Sequence, residues 1–128
     1  MLDAPYLMKM AQSLARHSGA RQAQIAKNIA NADVPGYRAR DIVDFSESFR
    51  QSQAADVRMT RGGHMSGREF GGAYATFDLG GESSPNGNNV SVEVEMARGT
   101  DAKSSHDLAL AVYKSSLDIL RASLGRGR

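Results

Sequence analysis

The stretch NIANADVPGY, residues 28–37, marks the end of a predicted helix and decides how the chain is organised. Pro35 fixes its own φ, lacks an amide hydrogen and disfavours helical backbone at the residue before it. Gly36 suits the positive-φ position of a type II turn. Asn28 and Asn31 are poor in the middle of a helix, but near its end their side chains can bond to carbonyls that lack a helical partner. The stretch therefore predicts a helix followed by a fixed change of chain direction.

An amphipathic segment precedes this turn. Its apolar side chains recur at helical spacings, and they are Leu7, Met10, Leu14, Ile25 and Ile29. This pattern predicts a helix over about residues 6–32. Gly19 interrupts the stripe and weakens the helix by about 1 kcal/mol relative to alanine. Because large side chains are scarce along the stripe, we expect another helix to approach this one closely.

A second amphipathic segment lies at the other end of the chain. Five large residues step along it by three, four, three and four positions: Leu110, Tyr113, Leu117, Leu120 and Leu124. Leu108, Val112 and Ile119 widen this stripe on an adjacent face. The pattern predicts a helix that starts either near Glu93 or near Ser104, with an apolar face wide enough for more than one neighbour.

The segments divide a single predicted domain, residues 1–128, into four parts. These are an N-terminal helix (1–32), a turn and arm (33–53), a glycine-rich loop or small β-hairpin (54–92) and a C-terminal helix (93–128). Glycine pairs and an Asn-Gly turn signal punctuate the third part. We expect a mainly α fold in which the two terminal helices pair as an antiparallel coiled coil.

Composition and charge exclude several classes of function. Sixteen basic and fourteen acidic residues give a net charge of +2, and no basic stripe points to nucleic acid as a partner. The chain has no cysteine, which excludes a disulfide framework and a thiolate metal site. No segment approaches the roughly 20 apolar residues of a membrane span. The N-terminus also lacks the pattern of a cleavable secretory signal.

Residues that could carry catalysis are few and scattered. His17, His64 and His106 lie in three separate segments without metal-ligand spacing, and we expect each on the solvated surface. The glycine-rich segment lacks the lysine and serine or threonine of a phosphate loop, and no serine lies in a G-x-S-x-G motif. We therefore expect no enzyme activity, no metal and no cofactor.

The sequence ANADVPGY at residues 30–37 resembles a signature of the rod and hook axial proteins of the bacterial flagellum. In that family the pattern Ala-Asn-x-x-Thr-Pro-Gly-Tyr follows an amphipathic N-terminal helix, and Val34 stands here where threonine is usual. Asn28 and the continuation RARDI, residues 38–42, add to the resemblance. The likeness covers most of residues 6–50.

The resemblance, which extends more loosely over residues 86–124, implies a structural role. A rod subunit would polymerise helically in the periplasmic part of the basal body and transmit torque from the rotor to the distal rod and hook. The implied partners are other copies, FliE, the rod proteins FlgC and FlgF, and the flagellar export apparatus, which exports such subunits without a cleaved signal peptide. Two alternatives remain open: a cytosolic helical adaptor or export chaperone, and a nucleic-acid-binding helical module favoured only by the pI of 9.2 and the final Arg-Gly-Arg.

Three sets of residues carry the implied functions. The angle between inner helix and outer arm would be set by Asn28, Asn31, Pro35, Gly36 and Tyr37. Phe45 and Phe49 resemble the Phe-x-x-x-hydrophobic element that engages the export gate, although they would equally suit a hydrophobic latch on the first helix. Packing between subunits would involve Leu7, Leu14, Ile25, Leu110, Tyr113, Leu117, Leu120 and Leu124.

Overall fold

The structure, a computed structural model, describes residues 4–54 and 73–125. Three helices and two short strands follow one another in these residues: α1 (Ala4–Ala30), β1 (Arg40–Ile42), α2 (Phe45–Ala54), β2 (Thr76–Asp78) and α3 (Val92–Gly125). The long helices α1 and α3 match the two amphipathic segments. Helix α3 starts near the earlier of its two predicted positions and runs without a break through Gly99 and Ser104.

Helices α1 and α3 pack against each other in antiparallel orientation. Asn28, near the end of α1, hydrogen-bonds to Glu95, near the start of α3. One turn further along, a Cβ added at Gly99 would lie 3.8 Å from the side chain of Ile25. The prediction of a mainly α fold built from paired terminal helices is therefore confirmed.

The interface between the two helices is lined mainly by small side chains. Its buried residues recur every seven positions, as Ala11, Ser18 and Ile25 on α1 and as Glu95, Ala102, Ala109 and Ser116 on α3. A seven-residue repeat keeps one narrow line of each helix facing its partner, as in a coiled coil. We call these seven residues the seam. The large leucines that mark α3 in the sequence do not belong to it.

Ser18 is the one seam residue whose hydroxyl has no hydrogen-bond partner among the described residues. By contrast, the Ser116 hydroxyl donates to the Val112 carbonyl at 2.9 Å. A buried polar group without a partner costs about 1–3 kcal/mol. Ser18→Ala should therefore raise the free energy of unfolding by about 1 kcal/mol more than Ser116→Ala, measured by urea denaturation. Because both substitutions gain the same helix propensity, equal effects would contradict this explanation.

The two strands form a small antiparallel ribbon beside the helix pair. Arg40 lies opposite Asp78, and Ile42 lies opposite Thr76. The glycine-rich part is predicted to form a loop or a small hairpin, and its described strand pairs with the arm. Residues 55–72, which hold His64 and nearly half of this part, lie outside the described residues.

Helix α2 lies along the first half of α1 through aromatic contacts. The Tyr6 and Phe49 ring centroids are 6.3 Å apart, and those of His17 and Phe45 are 5.7 Å apart, both edge to face. Phe45 and Phe49 also contact each other, with ring centroids at 5.4 Å. The contacts expected of a hydrophobic latch on the first helix are therefore present for these two phenylalanines.

His17 does not lie on the solvated surface, and the prediction that it would was wrong. The residue is only 6% exposed. Its Nε2 lies 2.7 Å from the Val43 carbonyl oxygen, to which it donates in the matching tautomer. The rings of Phe45 and Tyr74 approach it edge to face. An imidazole fits here because it offers an N–H to a backbone carbonyl beyond β1 and an aromatic surface to its neighbours.

Within residues 4–54 and 73–125, none of the helices combines the length and apolar character that crossing a membrane requires.

Candidate functional site

The turn after α1 has the geometry that its sequence predicts. The Tyr37 amide donates to the Val34 carbonyl at 3.2 Å, which closes a four-residue turn around Pro35 and Gly36. Gly36 has a φ of +74°. Proline at the second position and a positive-φ glycine at the third define a type II turn. The direction in which the chain leaves α1 is therefore fixed by local chemistry.

Asn28 connects this turn to both long helices, and it is fully buried. Its Nδ2 donates to the Arg40 carbonyl at 2.7 Å and to Glu95 Oε2 at 2.9 Å. Its Oδ1 accepts from Gln24 Nε2 at 3.0 Å, from the Tyr37 hydroxyl at 3.2 Å and from the Arg40 amide at 3.3 Å. One side chain thus joins α1, the turn, the arm and α3.

Asn31 has a smaller and purely local role. Its Nδ2 donates to the Lys27 carbonyl at 2.7 Å, one turn earlier in the chain. The same carbonyl also accepts from the Asn31 amide at 3.2 Å, so the side chain adds a second hydrogen bond at the end of α1. The two asparagines therefore have different roles. The Asn28 side chain links separate elements, whereas the Asn31 side chain bonds within the end of α1.

A second group of asparagines, absent from the residues that the sequence singled out, holds the turn from the other side. Asn88 Nδ2 donates to the carbonyls of Asn31 at 2.9 Å and Val34 at 2.8 Å. Asn88 Oδ1 accepts from the Val90 amide at 2.8 Å, and the residue is buried. The side chain that fixes the turn therefore comes from the residues just before α3.

The neighbouring residues complete this docking. Asn89 Oδ1 accepts from the Ala39 amide at 2.6 Å, and the Asn86 carbonyl accepts from the Gly36 amide at 2.9 Å. We call Asn28, residues 34–37 and residues 86–89 the junction. The run Asn-Gly-Asn-Asn at 86–89 was an available signal, but it indicated only a tight turn because its partners lie some fifty residues away.

Gly87 allows the two loops of the junction to meet. Its φ is +85°, and a Cβ added there would lie 3.3 Å from Gly36 Cα. Gly80 has a similar φ of +66° but faces open space. Gly80→Ala should therefore lower the free energy of unfolding by about 1 kcal/mol and Gly87→Ala by about 2 kcal/mol, because only the second adds a backbone collision to the left-handed penalty. Urea denaturation of both variants measures the difference, and equal values would contradict the proposed contact.

Two ion pairs support the junction from either side. Arg21 forms two hydrogen bonds to the Asp41 carboxylate, with Nη2 2.9 Å from Oδ2 and Nε 3.1 Å from Oδ1. This ion pair fixes β1 against α1. The hydrogen bond to Asp41 raises the pKa of Arg21, although partial burial opposes this effect. Glu95, which is buried, accepts from Arg98 Nη1 at 2.8 Å on its own helix. Asp41, the aspartate of the RARDI continuation, anchors the arm through its ion pair with Arg21.

The outer surface of α3 carries large apolar side chains on both flanks of the seam. Leu110 follows seam residue Ala109 and Leu108 precedes it, so the two leucines point about 100° to either side. We call Leu110, Leu117 and Leu124 the leucine line, and Leu108, Val112 and Ile119 the mixed line. Their most exposed members are Leu110 at 50%, Leu108 at 59%, Ile119 at 62% and Leu124 at 82%.

The residues predicted to pack between subunits fall into three groups. Ile25 lies in the seam and is occupied by contact with α3. Leu110 and Leu124 are exposed, and the remaining five are half-buried, namely Leu7, Leu14, Tyr113, Leu117 and Leu120. The surface open to a neighbour is therefore centred on α3.

Among the described residues, no cluster of three or more histidine, aspartate and glutamate side chains is placed to hold a metal ion. A scan against models of protein families finds none that matches this chain, and a search of the curated proteins finds no match either. The likeness to the flagellar axial proteins therefore rests on the signature turn and the residues around it.

Proposed function

We propose that this chain is a structural subunit of the proximal rod of the bacterial flagellum, similar to the rod protein FlgB, and that it polymerises helically to transmit torque. The observation that carries the proposal is the pair of exposed apolar lines on α3. They flank a seam that is already occupied by α1, so they are available to other chains. Large apolar side chains grouped on an exposed helix face are typical of an interaction site.

The energetics of the two lines favour an assembly over a dimer. Burying a leucine or isoleucine that is half to four-fifths exposed contributes roughly 1–2 kcal/mol. One line would then supply about 3–5 kcal/mol, whereas association costs an estimated 4–15 kcal/mol or more. A single neighbour on one line is therefore bound weakly. A subunit gripped along both lines, with further contacts, is held firmly only within a growing assembly.

The placement of the lines also bears on the symmetry of the assembly. They differ in composition and lie on opposite flanks of the seam, so each suits a different surface of a neighbour. Contacts between unlike surfaces are heterologous, and they generate an open helical filament when the rotation does not close. This arrangement suits a rod.

The junction supplies stiffness. The buried side chains Asn28 and Asn88 hold the turn through bonds to the backbone on both sides. A torque-bearing subunit requires a fixed angle between its inner helices and outer arm. By resemblance, the partners of the rod would be further copies, FliE, FlgC, FlgF and the export apparatus, and its location would be the periplasmic part of the basal body.

The proposal is tested by deleting the gene in its flagellated host and imaging basal bodies by electron cryotomography. We expect rotor rings without a rod and a loss of motility, both restored by the unmodified gene. If the chain is instead a helical adaptor in the cytosol, we expect to recover it from the unmodified strain in a soluble, stoichiometric complex. Complete rods in the deletion strain would refute the proposal.

Export through the flagellar apparatus gives a separate prediction. We expect Phe45→Ala to accumulate in the cytoplasm, because it removes the aromatic side chain of the candidate export element. Tyr6→Ala is a matched control, since Tyr6 contacts α2 through Phe49 but lies outside the element. Immunoblots of cytoplasmic and basal-body fractions measure both variants. Equal export would remove the signal interpretation, and equal retention would assign the effect to the latch.

A further inference from the structure

The seam by itself discriminates weakly between alternative alignments of α1 and α3. Its middle consists of Ala11 and Ser18 on one helix and Ala102, Ala109 and Ser116 on the other. A slide of one helix by seven residues, about 10.5 Å, keeps the same narrow line of each helix facing its partner. Such a repeat permits close packing in more than one register.

A polar contact breaks this repeat, in addition to the contact of Ile25 with Gly99. Asn28 and Glu95 are both fully or almost fully buried, and Nδ2 of the asparagine lies 2.9 Å from Oε2 of the carboxylate. The other carboxylate oxygen accepts from Arg98, which belongs to α3 and moves with Glu95 in any slide. Of the two bonds, only the one from Asn28 depends on the register.

Either slide by seven residues leaves a buried group without its partner. In one direction Glu95 passes beyond the end of α1 and loses Asn28. In the other it approaches Arg21, which already holds the buried carboxylate of Asp41. Removing the partner of a buried polar or charged group is costly. A single polar residue in a coiled-coil seam is known to fix register in this way.

We propose that the Asn28–Glu95 hydrogen bond selects the register of α1 against α3. The seam supplies the attraction between the helices, and the polar pair chooses among the alignments that the seam permits. The register also fixes the position of the leucine and mixed lines, along the helix axis, relative to the junction. This inference does not depend on the proposed function, because it concerns the single chain.

Disulfide trapping tests it directly, since the chain contains no cysteine. Ile25→Cys with Gly99→Cys reports the observed register, in which these positions adjoin. Ile25→Cys with His106→Cys reports a slide in one direction, and Ser18→Cys with Gly99→Cys reports the opposite slide. Each pair is oxidised in the unmodified chain, in Glu95→Leu and in Glu95→Gln, whose amide oxygen still accepts from Asn28.

We expect only the first pair to form in the unmodified and Glu95→Gln backgrounds. In Glu95→Leu, one shifted pair should increase about tenfold, which corresponds to a loss of about 1.4 kcal/mol in register preference. Glu95→Leu that forms only the observed pair would overturn the proposal. So would a loss of helix content by circular dichroism in that variant, because the pair would then support folding rather than choose a register.

A competing explanation is that the loop before α3 sets the register, since Asn88 also binds the turn. Asn88→Ala removes that anchor and retains the Asn28–Glu95 bond. We expect this variant to form only the observed disulfide pair. Shifted pairs in Asn88→Ala together with none in Glu95→Leu would assign the register to the loop and overturn the proposal.

Discussion

Replacing Asn28 with alanine should lower the free energy of unfolding by about 3 kcal/mol. The substitution removes a fully buried side chain and leaves Glu95 Oε2 and the Arg40 carbonyl without the donor they share. Each buried polar group left unpaired costs about 1–3 kcal/mol, and more when it is charged. The gain in helix propensity from asparagine to alanine is only a fraction of this loss. Urea denaturation followed by circular dichroism measures the change.

Asn31→Ala is the matched control. It is the same substitution three residues later, and it removes one local bond to the Lys27 carbonyl near the surface. We expect its free energy of unfolding to stay within about 1 kcal/mol of the unmodified chain. A loss as large as that of Asn28→Ala would show that the contribution comes from ending the helix. The link between the elements would then lose its support.

The features predicted from sequence are those encoded by neighbouring residues. Periodic apolar side chains predicted α1 and α3, because residues three and four positions apart lie on the same face of a helix and can be buried together. Pro35 and Gly36 predicted the turn, because each residue limits its own backbone angles. The antiparallel pairing then followed from two long helices joined by a connection that returns the chain.

The features that escaped prediction depend on distant partners. The polar side chain of His17 gave no sign that it would be buried. It is buried because Val43, Phe45 and Tyr74 lie against it in the folded chain. Asn88 similarly binds carbonyls more than fifty residues earlier in the chain. No local pattern specifies such contacts.

The seam on α3 was missed for a different reason. Alanine and serine give a weak periodic signal, whereas leucines at neighbouring positions give a strong one. The leucines therefore dominated the sequence pattern, although Ala102, Ala109 and Ser116 make the intramolecular contact. The separation has a physical basis, because small residues permit close helix approach within the chain while Leu108, Leu110, Ile119 and Leu124 stay exposed.

If the chain polymerises as proposed, introducing a charge into either flanking line should abolish polymerisation and leave the folded monomer intact. Leu110→Asp alters the leucine line and Ile119→Asp alters the mixed line, at side chains that are 50% and 62% exposed. Each aspartate would be buried without a partner in the assembly, whereas in the monomer it remains in water. We expect the free energy of unfolding of either monomer to change by less than about 1 kcal/mol. Sedimentation velocity and negative-stain microscopy measure the assembly.

Ala111→Asp is the control for introducing the charge itself, because Ala111 is exposed on α3 and belongs to neither line. Under the proposed function, it should polymerise to the same extent as the unmodified chain. Loss of assembly in all three variants would show that added negative charge, rather than either line, prevents polymerisation.

Mixing the two line variants gives the sharpest distinction. If the leucine line of one subunit packs against the mixed line of the next, Leu110→Asp retains one half of that contact and Ile119→Asp retains the other. At high protein concentration, an equimolar mixture should then form weakly bound pairs that do not elongate, while each variant alone stays monomeric. Full-length polymers from the mixture would contradict this pairing, since every second contact would contain two aspartates in place of apolar side chains. Pairs that stop growing are the outcome that a heterologous, open-ended interface requires.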